Sequence, residues 1–549
     1  MTNLTDPATF IQILARAEAR SADEHWHEAA GLWQRIVETN PVDGHFWSQL
    51  ACAWYGAEEF RDAIPAFACA LELRDGFPAE TAYRIARCHA RLGETDNAIA
   101  WLERAWDLGF RHLDQAQTDD DLTSLRDHPR FRDLVGLIDA DDLTRDEGWR
   151  VDLRFFAREV KRRAYAPFGQ ISEERFDRLI AALDEAIPNL TDAQIILELT
   201  KILRHLGDGH AYVSPPEDRD DLQRAIPLIF YQFEEGIFVT AADAAHRGLL
   251  GGQLLRIGDR PIEEVVAAVE PLVCRDNDHW PKEVVPRRLR ELSLLHALGL
   301  VPDPDAVALT LLLPDGSTRT VALVADTSQR HWKRIFPYPA DWVSYPETLD
   351  SPRPLSLKNL SLPYWFEYLP AARVVYVQFN AVRNDPSEAF ADFLRRLFAF
   401  VDEHLVDKLV LDMRWNGGGN TYLELPLLRQ LITSKVNRRG RLWVIIGRRT
   451  FSAAQNGVGM ISVHTEAIFA GEPTGSSPTF IGETIPFELP YSKVQANVAD
   501  LLWQNTWPTD ERPWVAPTLY TPPTFAAYRA NRDPALDAIL ACTEHLPNW

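Results

Sequence analysis

Two strand–loop–helix units follow each other between Leu409 and Glu472, and they constrain the fold more than any other part of the chain. Each begins with a short apolar run that lacks polar alternation, Leu409–Met413 and then Leu442–Gly447. Such runs are typical of strands buried on both faces of a parallel sheet. A third apolar run, Ala467–Ala470, follows. The sequence therefore predicts an α/β sheet, in which functional groups collect at the carboxyl ends of the strands.

Residues suited to acyl transfer follow the first two of these strands. The glycines 417–419 come after the first strand, and glycines let backbone N–H groups approach a developing oxyanion. Ser452 comes after the second, at a predicted helix start, where the helix dipole is positive. Taken singly, the glycines are more typical of a flexible turn and Ser452 of a helix cap. Together, on neighbouring strands, they predict an acyl-transfer site with Gly417 or Gly418 and Ala453 as N–H donors.

Three motifs in this region resemble the core of the tail-specific, or C-terminal processing, serine proteases, a family that includes the tricorn core protease. The motifs are Asp412–Gly419, Thr450–Ala454 and Gly471–Gly475. The resemblance covers roughly residues 145 to 545. It implies a crotonase/Clp-protease-like core that hydrolyses peptide bonds of a peptide or unfolded protein through an acyl-enzyme on Ser452.

A histidine in a glycine-flanked turn supplies the predicted general base. His210 ends the segment Gly207-Asp208-Gly209-His210, between a predicted helix and a predicted strand. A lone histidine near a helix end is more often structural. The tricorn-like members of the family place their catalytic histidine in a similar turn, so the resemblance implies that His210 is the base.

The lysine that many tail-specific proteases use as the base is missing from the expected position. It would follow the serine by about 25 residues, where this chain has Ser477, and no lysine lies between Lys435 and Lys493. A Ser/Lys pair is therefore disfavoured, and no metal or other cofactor is predicted. The tricorn-like resemblance implies a glutamate as the third catalytic residue, and Glu511 matches its position. Asp510 and Asp208 remain alternatives.

The first 140 residues are helical and repetitive. Ala29, Ala63 and Ala98 recur at steps of 34 and 35 residues, each opening a similar apolar pattern. This resembles tetratricopeptide repeats. Stacked repeats commonly bind a peptide or a protein partner, although a plain helical cap explains the pattern equally well.

A strand-rich module is predicted between the base and the protease core. The segment Gly251–Ile262 resembles the strand and turn of a PDZ domain, and Val307–Leu313 with Thr320–Val324 predicts a hairpin. A PDZ domain can bind a peptide as an added strand. Because no clear carboxylate-binding loop is visible, a spacer role is at least as well supported.

Composition limits the classes of function. A chain of 549 residues is too long for a single hydrophobic core, so several domains are expected. A formal net charge of -22 argues against nucleic-acid binding. The amino terminus lacks the pattern of a signal peptide, no apolar run is long enough for a bilayer, and the scattered cysteines suit a reducing compartment, so a cytoplasmic location is expected.

The combined prediction is a multidomain α plus α/β serine peptidase. Its parts are repeats in 1–140, a helical segment with His210 in 141–218, a PDZ-like module in 219–330 and the protease core in 331–549. The alternative from another class is a binding scaffold on a silent protease fold. The oligomeric state stays open.

Overall fold

The computed structural model describes residues 7–110, 112–137, 142–326 and 341–542. The chain forms two compact units: the first comprises Met1–Arg163 with Leu489–Ser492, and the second comprises Ala164–Glu488 with Lys493–Trp549. A helical amino-terminal region followed by sheets agrees with the predicted class. The finer assignment to repeats, PDZ-like module and protease core, with its three boundaries, stays a prediction.

The first unit is helical. Ala29, Ala63 and Ala98 are each fully buried and each occupies the fourth position of its helix, as expected if small residues let paired helices approach. The tetratricopeptide assignment stays a prediction. The helices are α1 (Pro7–Ala22), α2 (Trp26–Thr39), α3 (Gly44–Gly56), α4 (Phe60–Glu72), α5 (Pro78–Arg91), α6 (Thr95–Asp107), α7 (Leu113–Thr118), α8 (Pro129–Val135) and α9 (Arg145–Arg163).

A buried carboxylate ties the short segment Leu489–Ser492 into this unit. Asp152 of α9 is fully buried and accepts hydrogen bonds from the N–H groups of Tyr491, at 2.7 Å, and Ser492, at 2.8 Å. A buried charge needs such partners, because an unpaired one is costly to desolvate.

The second unit combines sheets and helices. Its helices are α10 (Glu173–Ala186), α11 (Asp192–Arg204), α12 (Ile262–Val269), α13 (Pro281–Arg288), α14 (Leu292–Ala297), α15 (Phe390–Glu403), α16 (Leu425–Thr433), α17 (Ala453–His464), α18 (Phe525–Tyr528) and α19 (Pro534–Ala541). Its strands are β1 (Tyr212–Ser214), β2 (Leu228–Phe233), β3 (Gly236–Ala242), β4 (Gln253–Ile257), β5 (Arg260–Pro261), β6 (Ala306–Leu312), β7 (Thr318–Val324), β8 (Val343–Ser344), β9 (Tyr364–Leu369), β10 (Val374–Phe379), β11 (Lys408–Asp412), β12 (Leu442–Ile446), β13 (Ile468–Gly471), β14 (Thr479–Glu488), β15 (Gln495–Gln504) and β16 (Leu519–Tyr520).

The sheet that carries the glycine run and the serine has the order β16-β13-β12-β11-β10-β9. All neighbouring strands in it are parallel except β9, which is antiparallel to β10. Side chains of α15, α16 and α17 pack on one face, and side chains of α19 pack on the other. β11, β12 and β13 lack polar alternation because both of their faces are buried. Their parallel pairing confirms the predicted adjacent parallel strands.

Two further sheets complete the second unit. The predicted strand-rich module contains the order β2-β3-β4-β6-β7, with β5 paired to β4 and β8 to β3, and the predicted hairpin is the antiparallel pair β6/β7. The other sheet has the order β1-β15-β14, and β1 directly follows the turn that carries His210. In the described ranges, no helix is both long and apolar enough to cross a membrane.

Candidate active site

Ser452 lies between β12 and α17 in a conformation that non-glycine residues rarely adopt. Its φ is 56° and its ψ is -128°, and it immediately precedes the first residue of α17. Its neighbour Phe451 donates its N–H to the carbonyl oxygen of Asn416 at 3.2 Å, which ties this loop to the loop that follows β11. Strain of this kind persists only where the surroundings enforce it, and it is concentrated at functional sites.

The glycine run packs directly against Ser452. A Cβ atom built on Gly418 would lie 2.7 Å from the Cβ of Ser452 and 3.0 Å from the backbone nitrogen of Ala453. A Cβ built on Gly419 would lie 2.2 Å from the carbonyl oxygen of Val382. Both glycines have positive φ, 106° and 142°. Only glycine therefore fits where the two loops meet, and the structure brings the predicted oxyanion residues to the predicted nucleophile.

The N–H groups of the predicted oxyanion residues differ in their hydrogen bonding. Gly418 donates its N–H to the Oδ1 atom of Asn416 at 3.0 Å, within its own loop. Among the described residues, the N–H groups of Gly417 and Ala453 have no acceptor. Gly417 and Ala453 can therefore donate to a ligand without losing an internal bond, whereas Gly418 shapes the loop.

His210 is positioned by its backbone. It follows α11, whose start is fixed by the capping box of Thr191 and Gln194. The Oδ1 atom of Asp208 accepts the N–H of His210 at 2.8 Å, and the side chain of Asn497 donates to the carbonyl oxygen of His210 at 2.9 Å. Since both backbone groups are held, the direction in which the ring leaves the chain is fixed.

The ring of His210 lies beside the residue that precedes Ser452. Its centre is 4.6 Å from that of Phe451 and 5.5 Å from that of Phe480, on which it stacks. Both ring nitrogens are buried, and neither makes a hydrogen bond of full geometry to a described residue, although the backbone of Ile481 lies close enough to interact with the ring. Burial lowers the pKa of His210 to about 4, with only a partial offset from the nearby backbone of Ile481. The imidazole is therefore neutral at pH 7, the form that a general base requires.

The three candidates for the third catalytic residue occupy different environments. Glu511 is exposed, and among the described residues it makes no hydrogen bond with the ring of His210. Asp510 is paired with the guanidinium of Arg512 at 2.7 Å. Asp208 is buried and bonded to backbone N–H groups, including that of Ala499 at 2.8 Å. The role of Glu511 stays a prediction.

A carboxylate that the sequence analysis did not single out also holds the histidine turn. The Oδ1 atom of Asp276 accepts the N–H of Gly209 at 2.8 Å, and its Oδ2 atom accepts the hydroxyl of Ser476 at 2.6 Å. Burial raises the pKa of Asp276 to about 7; the bond from Ser476 opposes the shift, and the charge of Asp208 adds to it. No local pattern could have revealed this residue, because its partners lie 67 and 200 positions away.

The structure also shows the positions of Ser477 and Lys493, the two residues on which a Ser/Lys alternative depends. Ser477 donates its hydroxyl to the carbonyl oxygen of Pro513 at 2.9 Å. Lys493 has a side chain that is 59% exposed, and it lies 3.5 Å from a carboxylate oxygen of Glu488.

Buried ion pairs support the strand ends next to these loops. Arg448 and Glu472 are 3% and 7% exposed and form two charge-assisted bonds, at 2.8 and 2.7 Å. The predicted motif residue Glu472 is thus the partner of the loop that leads to Ser452.

Among the described residues, no group of three or more His, Cys, Asp or Glu side chains could hold a metal ion.

No family model and no curated protein matches this chain. Solved structures do match. Mature CPAF complexed with lactacystin covers 72% of this chain and 97% of its own, with a TM-score of 0.50 and 12% identity. A second structure of mature CPAF covers 72% and 96%, with a TM-score of 0.50 and 13% identity.

The fold resembles that of mature CPAF. The photosystem II D1 C-terminal processing protease also matches, over 72% of this chain and 97% of its own, with a lower TM-score of 0.35 and 14% identity. At such low identity, the likeness to CPAF establishes a shared fold and leaves substrate and mechanism to the chain's own residues.

Proposed function

We propose that this protein is a serine peptidase that cleaves peptides or unfolded proteins through an acyl-enzyme on Ser452, with His210 as general base. One observation supports this most strongly: a strained serine at a helix start packs against a glycine loop with unpaired N–H groups, and a buried neutral histidine packs against the preceding residue, Phe451. These are the parts that nucleophile, base and oxyanion stabilisation require. The resemblance in sequence and the CPAF-like fold agree with this function.

In the proposed mechanism, neutral His210 takes the proton of the Ser452 hydroxyl as the oxygen attacks the scissile carbonyl. The oxyanion accepts hydrogen bonds from the N–H groups of Gly417 and Ala453. The C–N bond then breaks, and protonated His210 gives its proton to the leaving amine. In the second half, His210 takes a proton from water as the water oxygen attacks the acyl ester. The ester C–O bond then breaks, and protonated His210 returns the proton to the Ser452 oxygen, which releases the acid product and restores the enzyme.

Glu511 is the proposed orienting carboxylate, and in that role it accepts a hydrogen bond from a ring nitrogen of His210. Neither ring nitrogen has a hydrogen bond of full geometry within the described ranges, so one of them is available for such a bond. The catalytic hydrogen bonds of enzymes often tighten only when substrate is bound.

A second candidate is a non-catalytic scaffold on which the repeats and the PDZ-like module bind partner proteins. The observation that favours it is the absence of a hydrogen bond from His210 to Ser452 among the described residues. In that case, the strained conformation of Ser452 would belong to the fold and have no catalytic role.

Hydrolysis of an unfolded protein such as reduced casein separates the two. We expect the full chain to release peptides, and Ser452→Ala to release none while keeping the melting temperature of the unmodified protein. A chain that folds but cleaves neither casein nor short activated peptides would support the scaffold. Lactacystin, present in one of the CPAF structures, provides a competing ligand for the same assay.

A further inference from the structure

A cavity of about 370 Å³ opens at the carboxyl ends of β11, β12 and β13. Arg414, Gly447 and Glu472 line it from the strand ends, and Tyr231 and Trp342 line it from the other side. In open α/β sheets, ligands bind in the crevice at these strand ends. The cavity is therefore in the position where this fold class holds a ligand.

The cavity reaches the proposed oxyanion loop. Trp415, two residues before Gly417, is one of its lining residues, and so is Arg449, three residues before Ser452. The Nε atom of Arg449 lies 3.9 Å from the position of a Cβ built on Gly417. A group bound to Arg449 is thus next to the place where the scissile carbonyl would bind.

Most cationic side chains around the cavity are neutralised by their own carboxylates. Arg414 lies 2.9 Å from Asp412 and 2.9 Å from Asp533. Arg448 is bonded to Glu472 at 2.7 Å and also donates to the carbonyl oxygen of Gln232 at 2.7 Å. Three more pairs are Arg353 with Glu347, Arg532 with Asp537, and Lys358 with Glu367.

Arg449 is the exception among the described cations that line the cavity. It has one long bond, from Nη1 to the Oε1 atom of Glu283 at 3.3 Å. Arg287 binds the same oxygen more closely, so one carboxylate serves two guanidinium groups. Nothing described accepts a hydrogen bond from the Nε or Nη2 atoms of Arg449. Around Glu283, two guanidinium groups therefore share one carboxylate, which leaves a local excess of one positive charge, and two donor atoms of Arg449 have no described acceptor.

Desolvation makes this arrangement unfavourable, because the side chain of Arg449 is only 21% exposed and its one carboxylate is shared with Arg287. Burial, together with the positive charge of Arg287, lowers the pKa of Arg449 to about 10. An anion that enters the cavity removes this penalty and accepts the free N–H groups in the two-pronged geometry that guanidinium and carboxylate share. The aromatic wall of Tyr231, Trp342 and Trp415 suits the methylene groups that carry such a carboxylate.

We propose that the cavity is a specificity subsite in which Arg449 binds the carboxylate of an aspartate or glutamate side chain close to the scissile bond. The proposal rests on the proposed function, because it takes the bound ligand to be a peptide. An acidic side chain would be preferred over its amide counterpart, since glutamine cannot neutralise the excess charge.

A binding experiment on the full-length Ser452→Ala variant tests the subsite without requiring turnover. The probes are peptides with amidated ends, so that no terminal carboxylate is present, in which a single glutamate or glutamine is moved along the sequence. At one position at least, we expect the glutamate peptide to bind about tenfold more tightly than the glutamine peptide, as for a charge-assisted bond.

Variants of Arg449 assign this preference to the cavity. Arg449→Gln on the Ser452→Ala background should abolish the preference, and Arg449→Lys should keep part of it. Arg353→Gln is the matched control, because Arg353 also lines the cavity but has its own partner, Glu347, at 3.0 Å. It should leave the preference unchanged.

Two results would overturn the proposal: no position at which glutamate binds better than glutamine, or a preference that persists in Arg449→Gln. If Arg449→Gln does not fold, the comparison of glutamate with glutamine and the Arg449→Lys variant still decide. A glutamate preference in a protein that hydrolyses no substrate would refute the proposed function and leave the subsite standing.

Discussion

The ring of His210 lies 4.6 Å, centre to centre, from the ring of Phe451, the residue that immediately precedes Ser452. The two residues are 241 positions apart in the chain, so this neighbourhood is created by the fold alone. It places a base candidate beside a nucleophile candidate, and it also surrounds the imidazole with apolar rings. The second effect has consequences for the pH dependence of activity.

We expect the acidic limb of kcat/KM to lie well below the ordinary histidine pKa of about 6.5. Burial lowers the pKa of His210 to about 4, so the active neutral form persists as pH falls until that region is reached. A pH profile with a short peptide substrate measures the limb. His210→Gln should remove the limb and lower the rate by a factor of about 10²–10⁴.

His205→Gln is the matched control, because His205 lies five positions upstream and is only partly buried. The profile should be unaffected by this change. A limb near pH 6.5 that survives His210→Gln, or a rate lost with Lys493→Ala, would contradict the assignment of the base.

Ser452→Gly should raise the melting temperature relative to Ser452→Ala. Both variants lack the hydroxyl, but only glycine tolerates φ 56° and ψ -128° without strain. Relief of such strain is worth about 1–3 kcal/mol, against which the added flexibility of glycine costs less. Thermal unfolding of the two variants measures the difference, and equal melting temperatures would mean that the serine is not strained.

Gly418→Ala should lower kcat about 100-fold or more. The new methyl group would lie 2.7 Å from the Cβ of Ser452 and must displace it, and a shift of about 1 Å at a reacting group costs on this scale. Gly316→Ala, in the turn between β6 and β7, is the control: its φ of 83° imposes similar backbone strain, but no atom lies within 4 Å of the new Cβ. It should cost stability and leave kcat unchanged, whereas an active Gly418→Ala enzyme would remove this loop from the site.

Asp276→Asn should change how stability depends on pH. The folded pKa of Asp276 is raised to about 7, above the ordinary value of about 3.8. Between these values, the folded state holds a proton that the unfolded state has lost, so this group destabilises the fold as pH rises from about 4 to about 7.

The asparagine side chain does not titrate in this range, so the variant lacks this pH dependence. Its melting temperature relative to the unmodified protein should therefore rise across that window and level off above it. A constant difference between pH 4 and 8 would show that Asp276 titrates normally, and a fall with increasing pH would reverse the sign of the argument.

The sequence predicted those parts of the fold that local pattern determines. The apolar runs of β11, β12 and β13 are visible because both of their faces are buried, and the glycine run and Ser452 lie where chains leave such strands. The hairpin β6/β7 was predictable for a different reason, because turn residues separate its two short strands.

The environment of the site could not be predicted in this way. The low pKa of His210 depends on Phe451 and Phe480, and the support from Asp276 depends on segments far apart in the chain. The unpaired state of Arg449 is visible only once Glu283 is seen to serve Arg287 as well. Each of these properties depends on several contacts between distant segments, and the spacing of residues in the sequence does not reveal them.

Mapping the adduct of a fluorophosphonate probe on the folded full chain tests the central claim most directly. Such probes label serines that an adjacent base activates, so we predict a single adduct on Ser452, at a rate that falls by orders of magnitude in His210→Gln and is unchanged in His205→Gln. A folded protein that stays unlabelled, or is labelled at another residue, would contradict the account.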